Sequence, residues 1–268
     1  ATPEEKRALA AYTGWGAFKE AFNDGMADAV ESWKGRPFYS QQCKPQFVTT
    51  WEKNYGELHA ILKAELSDDE YRAASRSTLN AHYTAAPVIR AMWKMVDRLG
   101  FKGGRALEPS AGNGHYIGLQ PAGDSADRTQ WQAVELDDLS AKMLAKLYPE
   151  ATVNERLGGN EGRSMDGLGF ERARIPNGSL DLVISNVPFH ESGPRKKGFP
   201  NLNLHNFFFA HALDKVKPGG LVAFITSAST MQNNQKQRDF IASKGDLVAA
   251  VRMPNNAFKF VTAITWLF

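Results

Sequence analysis

The sequence predicts an α/β protein: a seven-stranded, mostly parallel sheet with helices on both faces, preceded by a helical N-terminal extension. Three observations predict it. From Arg105 onward, short β-branched apolar runs alternate with helical patterns, as in a parallel sheet. The first run ends at Leu107-Glu108-Pro109 and opens into a small-residue turn, Ser110-Ala111-Gly112-Asn113-Gly114, ahead of a helix. Before residue 78 the apolar spacing is helical instead. The boundaries this implies are a helical extension over 1–77 and a sheet domain over 78–268.

A chain of 268 residues holds one large core, or a core and a smaller accessory domain. Its 32 basic and 29 acidic side chains leave +3, too little to argue for nucleic acid by bulk charge, so any basic surface is local. The single cysteine, Cys43, excludes an intramolecular disulfide and a metal site built on paired thiolates. His205 has no cysteine or acid at ligand spacing, and no metal is expected. The first residues lack the basic-then-apolar order of a signal peptide, and no apolar stretch approaches the ~20 residues that span a bilayer. The expectation is a cytoplasmic protein with no membrane partner.

Taken in order, residues from Pro3 to about Trp33 have helical spacing, broken at Tyr12-Thr13-Gly14-Trp15-Gly16 by two glycines. Further helices are expected over 55–66 and, from the Ser67/Glu70 capping box, to about Ser77. The aromatic residues here, Phe18, Phe22, Trp33, Phe38, Tyr39, Phe47, Trp51 and Tyr55, read as packing more than recognition. Pro87 opens an amphipathic helix with Val88, Ile89, Met92, Trp93 and Val96 on its apolar face. Strands are expected near 105–108, 130–136, 151–154, 180–186, 220–226, 247–252 and 262–268, and helices near 138–148, 204–216 and 234–244. Loops fall at 120–127, 157–169 and 190–200.

Two motifs carry chemistry. The turn after the first strand lacks the spacing of a dinucleotide fingerprint, so a pyrophosphate is not the favoured guest. Glu108 at the strand tip would repel phosphate and attract an amino group. Glu135, 23 positions beyond Gly112 and at the end of the second strand, is placed to accept hydrogen bonds from ribose hydroxyls. A nucleoside bearing an amino acid fits both acids. The second motif, Asn186-Val187-Pro188-Phe189, follows the apolar run 181–185 and therefore lies at a strand's carboxyl end, where open α/β sheets bind ligands. An Asn carbonyl and a neighbouring backbone carbonyl can accept the two hydrogens of a planar NH2, with an aromatic face against the ring.

Tyr83-Thr84, 108–114, Val134-Glu135-Leu136-Asp137 and 186–189 occur in an order that resembles S-adenosylmethionine-dependent DNA adenine-N6 methyltransferases, over roughly 78–268. Tyr12-Thr13-Gly14-Trp15-Gly16, with 79–84, resembles the methylase domain of phage and plasmid methylase-helicase polypeptides of the antirestriction type. One departure is Val187, where the family's commonest tetrapeptide has proline.

The resemblance implies a Rossmann-like class I methyltransferase fold with S-adenosylmethionine as cofactor and DNA as partner. Tyr83 and Thr84 would lie near the cofactor's methionine end, Glu108, Ala111 and Gly112 beneath it and Glu135 at the ribose, with Pro109, Asn113 and Leu136 in the same cofactor-binding set. Phe170 and Glu171 would hold the cofactor's adenine, although Phe170 reads equally as core. Asn186, Val187, Pro188 and Phe189 would be catalytic, transferring a methyl group to a flipped-out adenine stacked between Phe189 and Phe258. For Phe258 local packing stays open. Arg195, Lys196 and Lys197 either grip DNA phosphate or form a solvated charge run. A protein glutamine amide or an RNA base amine shares the NH2 chemistry, and a non-catalytic nucleic-acid-binding scaffold is the other class. Sequence recognition has no obvious dedicated segment, which leaves room for additional domains or subunits.

Overall fold

The structure, a computed structural model, describes residues 1–12, 14–37, 42–78, 84–154, 166–227, 229–232 and 234–253. The chain divides into two compact units, Thr13–Tyr83 and a second made of Ala1–Tyr12 with Thr84–Phe268. The first helix, α1 (Pro3–Ala11), belongs to the second unit and is closed at its start by a capping box between Thr2 and Glu5.

The unit Thr13–Tyr83 is helical. A 3-10 turn (Gly16–Phe22) leads into α2 (Asp24–Trp33), capped by the Asn23 side chain, which accepts from Met26 N at 3.1 Å. Then come α3 (Gln46–Trp51), a π turn (Glu52–Gly56), α4 (Glu57–Glu65) and α5 (Asp68–Ser77). The Ser67/Glu70 box forms as the sequence predicts, with Ser67 N donating to Glu70 Oε2 at 2.9 Å. Phe22, Tyr71 and Leu62 form one small core, and Val30, Val48 and Trp51 another. Of the aromatic residues assigned to packing, Phe22 and Trp51 are buried, Trp33 and Tyr55 half-buried, and Phe18 and Phe47 exposed. Phe38 and Tyr39 lie outside the described residues.

The other unit is built on a parallel sheet. After α6 (Ala86–Arg98) come β1 (Gly104–Glu108), the short α7 (His115–Gly118) and α8 (Asp124–Asp127), β2 (Thr129–Val134), α9 (Asp138–Leu147) and β3 (Thr152–Asn154). Next are α10 (Asp166–Arg172), β4 (Leu180–Asn186), α11 (Leu204–Lys215), β5 (Val216–Ile225), α12 (Ser229–Gln232) and α13 (Gln235–Ala242). The strand order is β3-β2-β1-β4-β5, and every pairing is parallel. Order therefore reverses between β1 and β4, which opens a crevice at their carboxyl ends.

Alternation sets the two faces. Ala106, Leu182, Ile184, Ala223 and Ile225 pack under Ile89, Met92 and Trp93 of α6, while Leu107, Val183, Val222 and Phe224 pack against Phe207, Phe208 and Phe209 of α11. Asp181 ties the base of the sheet together: it accepts from Arg105 N at 2.9 Å and pairs with Lys217.

The expected seven strands are corrected to five among the described residues. The apolar stretch at 247–252 forms no strand, and Leu247, Val248 and Val251 are exposed, so β-propensity alone did not decide its conformation. The expected strand at 262–268 lies outside the described residues. A further difference is the loop expected over 120–127, whose second half is the short α8.

The turn after β1 is shaped by close approach. Gly114 has φ +78°, and a Cβ there would lie 2.5 Å from Leu144 Cδ1 and 2.5 Å from Tyr148 Cε2. Gly114→Ala is expected to lower the unfolding free energy by about 1–3 kcal/mol, read as a lower urea midpoint. An unchanged midpoint would show that the turn has room to spare.

Candidate active site

The crevice between β1 and β4 collects the chemistry. β1 delivers Glu108, 2% exposed, to its carboxyl end. Backbone groups of Tyr116 and Ile117 hydrogen-bond to it, yet Oε2 has no partner among the described residues. Burial, reinforced by the charge of Glu135, pushes the Glu108 carboxyl well above the usual range. An unmatched buried oxygen of this kind is costly in an isolated protein and marks where a donor belongs.

The turn that follows is pinned to β2. Ala111 N donates to Val134 O at 3.1 Å, and Gly112 N to Glu135 Oε2 at 2.6 Å. Gly112 adopts φ +54°, a conformation that a side chain disfavours. The other oxygen of Glu135 accepts from Leu136 N at 2.9 Å and Asp137 N at 2.8 Å. Burial nevertheless dominates these donors and pushes the Glu135 carboxyl up to about 7.

β4 delivers the tetrapeptide to the same edge. Ser185 Oγ donates to Ser110 O at 3.3 Å, which ties the tip of β4 to the turn after β1. Asn186, half-buried, is the last strand residue and is registered against Ile225. Val187 is buried in the α11-side core and donates its N–H to Ile225 O at 3.4 Å, so an apolar side chain replaces proline here without opening the backbone. Phe189 is half-buried, with its ring edge-on to His205 at 6.0 Å between centroids. Burial pushes the imidazole of His205 down to about 4, leaving it neutral near pH 7, and its Nε2 lies 3.3 Å from Ser227 Oγ beyond the tip of β5.

The structure thus brings together Glu108, Ala111, Gly112, Glu135 and Asn186. Pro109 is buried and Leu136 half-buried beside them, and Thr84, buried, shares a hydrogen bond with the Tyr116 phenol. Asn113 faces another way: its Nδ2 donates to Tyr12 O at 2.9 Å and Leu9 O at 3.3 Å of the α1 end. Phe170 takes the core alternative, fully buried between Phe208 at 5.5 Å and His211 at 4.5 Å, while Glu171 is half-buried. Tyr83 and Phe258 lie outside the described residues. In the basic loop, Arg195 and Lys197 are exposed, but Lys196 folds back onto α11, 2.6 Å from His211 Nδ1 and 3.5 Å from Asp214, with its ammonium over the Phe199 ring. Reading of the sequence missed the Ser185–Ser110 tie and the attachment of α1, which leave no trace in local periodicity.

Among the described residues no group of three or more His, Cys, Asp or Glu is arranged to hold a metal ion, and no helix is long and apolar enough to cross a membrane.

No protein-family model matches this chain. It is 28% identical over 189 residues to the defense against restriction protein B of Escherichia phage P1, covering 68% of this chain and 8% of that protein. It is 29% identical over 171 residues to the type II methyltransferase M.XamI of Xanthomonas campestris pv. amaranthicola, covering 58% of this chain and 31% of that one. The chain therefore spans less than a third of the length of either relative. Among solved structures, a Listeria monocytogenes protein assigned to the class I S-adenosylmethionine-dependent methyltransferases superposes with a TM-score of 0.53 at 12% identity, covering 99% of this chain and 87% of that one. The fold is the class I methyltransferase fold that the motif order implied.

The raised Glu135 carboxyl sets a pH dependence. Its folded value of about 7 exceeds the usual 4.5, so the stability it contributes is complete below 4.5 and is lost as pH rises through 7. Glu135→Gln should therefore flatten the fall in urea midpoint across that window. A fall as steep as wild type would show that Glu135 is not held protonated by the fold.

Proposed function

We propose that this chain is an S-adenosylmethionine-dependent DNA methyltransferase acting on the exocyclic N6 of adenine. One observation carries the reading: Asn186 stands at the carboxyl end of β4, tied through Ser185 and Ser110 to the turn that holds Glu108, Gly112 and Glu135. A cationic amino-acid-bearing nucleoside and an amine-handling asparagine thus share one crevice. The phage and type II relatives support DNA as the substrate class.

The residues fit the cofactor. The unmatched Oε2 of Glu108 suits an ammonium group, Glu135 keeps an acceptor position for one ribose hydroxyl beside its three backbone donors, and the positive φ of Gly112 lets a ligand lie against the backbone. When bound, S-adenosylmethionine supplies an electrophilic methyl group. Asn186 Oδ1 and the Val187 carbonyl accept the two N6 hydrogens, draw the nitrogen toward tetrahedral geometry and aim its lone pair. Phe189 stacks on the base. Catalysis is then placement and electrostatics, and the displaced proton passes to water. His205, neutral and held down to about 4, is too weak a base to be required.

An adenine inside a duplex cannot reach this crevice, so the target is flipped out or already unpaired. The helical unit carries eight basic and ten acidic side chains, so the positive surface lies in the sheet unit. Exposed Arg195 and Lys197 follow the tetrapeptide and contact phosphate there, with Lys196 anchoring their loop to Asp214.

Incubation with methyl-labelled S-adenosylmethionine and, separately, DNA, RNA and a glutamine-containing peptide should place label in DNA as N6-methyladenine. Label confined to RNA or peptide would overturn the DNA reading. Asn186→Ala should retain cofactor binding and lower turnover by about 10²–10³-fold; undiminished turnover would remove Asn186 from the centre. Replacing Arg195 and Lys197 by alanine should reduce the slope of log affinity against log salt by about 2, and an unaltered slope would leave that loop to solvent.

A further inference from the structure

The motif that opens at Tyr12 has no part in the reading above, and its first residue leads to a second role for the cofactor turn. Helix α1 has no buried residue, so apolar packing contributes little to its seat. Its contacts with the turn are polar. Asn113, 1% exposed and flanked by Gly112 at φ +54° and Gly114 at φ +78°, donates to Tyr12 O at 2.9 Å and Leu9 O at 3.3 Å. His115 Nε2 lies 3.3 Å from Ala10 O. Three carbonyls at the α1 end are thus met by two side chains of the turn, Leu9 O sharing its acceptor with the Tyr12 N–H at 3.2 Å. The Tyr12 phenol is half-buried and close enough to Asp137 to feel its charge, so the α1 end also borders the strand end where Glu135 sits.

The chain leaves this unit at Tyr12 and returns at Thr84, and Thr84 is bonded to Tyr116, three residues beyond Asn113. Both crossings therefore end on the turn and the short helix that follows it.

The geometry points to Asn113 as a positioning residue that couples the seating of α1 to the cofactor-receiving shape of the turn. This rests on the reading that S-adenosylmethionine binds at the Gly112 turn. Both bonds of the Asn113 amide nitrogen go to the α1 end. Its amide fixes α1 on one side and, through its own backbone, the left-handed pair Gly112 and Gly114 on the other. By linkage, a ligand that selects the seated turn must also tighten α1, and loosening α1 must weaken the ligand.

The test uses the full chain with S-adenosylmethionine and its demethylated product as probes. In wild type, either probe should slow amide hydrogen exchange in residues 6–12. Calorimetry should give a dissociation constant raised about tenfold by Asn113→Ala, and about as much by Ala10→Pro, which breaks the last turn of α1. The double variant should be no weaker than either single one, because both remove the same coupling. Exchange in 6–12 that ignores the probes would overturn the coupling without requiring any variant to fold. So would wild-type affinity in Asn113→Ala, or additive losses in the double variant. Absence of probe binding to wild type would overturn the cofactor reading and this coupling with it, whereas binding without the coupling leaves that reading standing.

Discussion

Glu108 and Glu135 stand at the ends of adjacent strands, β1 and β2, and the turn after β1 is held by a backbone hydrogen bond to the second of these acids. The protein answers the two acids differently. Glu135 receives three backbone N–H groups, one of them from Gly112, and this is what gives the turn its shape. Glu108 keeps one oxygen unmatched in the crevice. Burying an acid in this way raises its pKa and destabilises the fold near neutral pH. A cation arriving at Glu108 would relieve that cost, so the arrangement is poorly suited to an empty scaffold and well suited to a positively charged guest.

The remaining parts serve to hold this pair in place and to bring the tetrapeptide beside it. Reversal of strand order between β1 and β4 puts their carboxyl ends side by side. Ser185 converts that neighbourhood into a bond, and Val187 seals the tetrapeptide against the core while Phe189 rests on His205. From the other side, Asn113 and His115 hold α1. One turn is therefore common to the N-terminal helix, the second strand and β4.

Much of this is legible in the sequence because it follows from short-range pattern. Alternating strands and helices, the small-residue turn and the acid 23 positions after Gly112 place Glu108, Gly112 and Glu135 correctly on one edge. Helix α6 follows from its apolar face, and α9, α11 and α13 end within two residues of expectation. What the sequence leaves open depends on tertiary partners. The stretch 247–252 has strand composition but forms no strand among the described residues, Phe208 and His211 draw Phe170 into the core, and Asp214 draws Lys196 out of the basic loop. Asn113 looks like a turn residue in sequence, and only the fold shows that its amide reaches back a hundred residues to α1.

The proposed seat of a cationic nucleoside is the pair of raised carboxyls. Titrating S-adenosylmethionine into the protein at pH 6 by calorimetry, in buffers of different ionisation enthalpy, tests it directly. One-site binding with release of protons to the buffer is expected, because a cationic guest draws Glu108 and Glu135 back toward their ionised forms. Absence of binding, or binding accompanied by proton uptake, would contradict it.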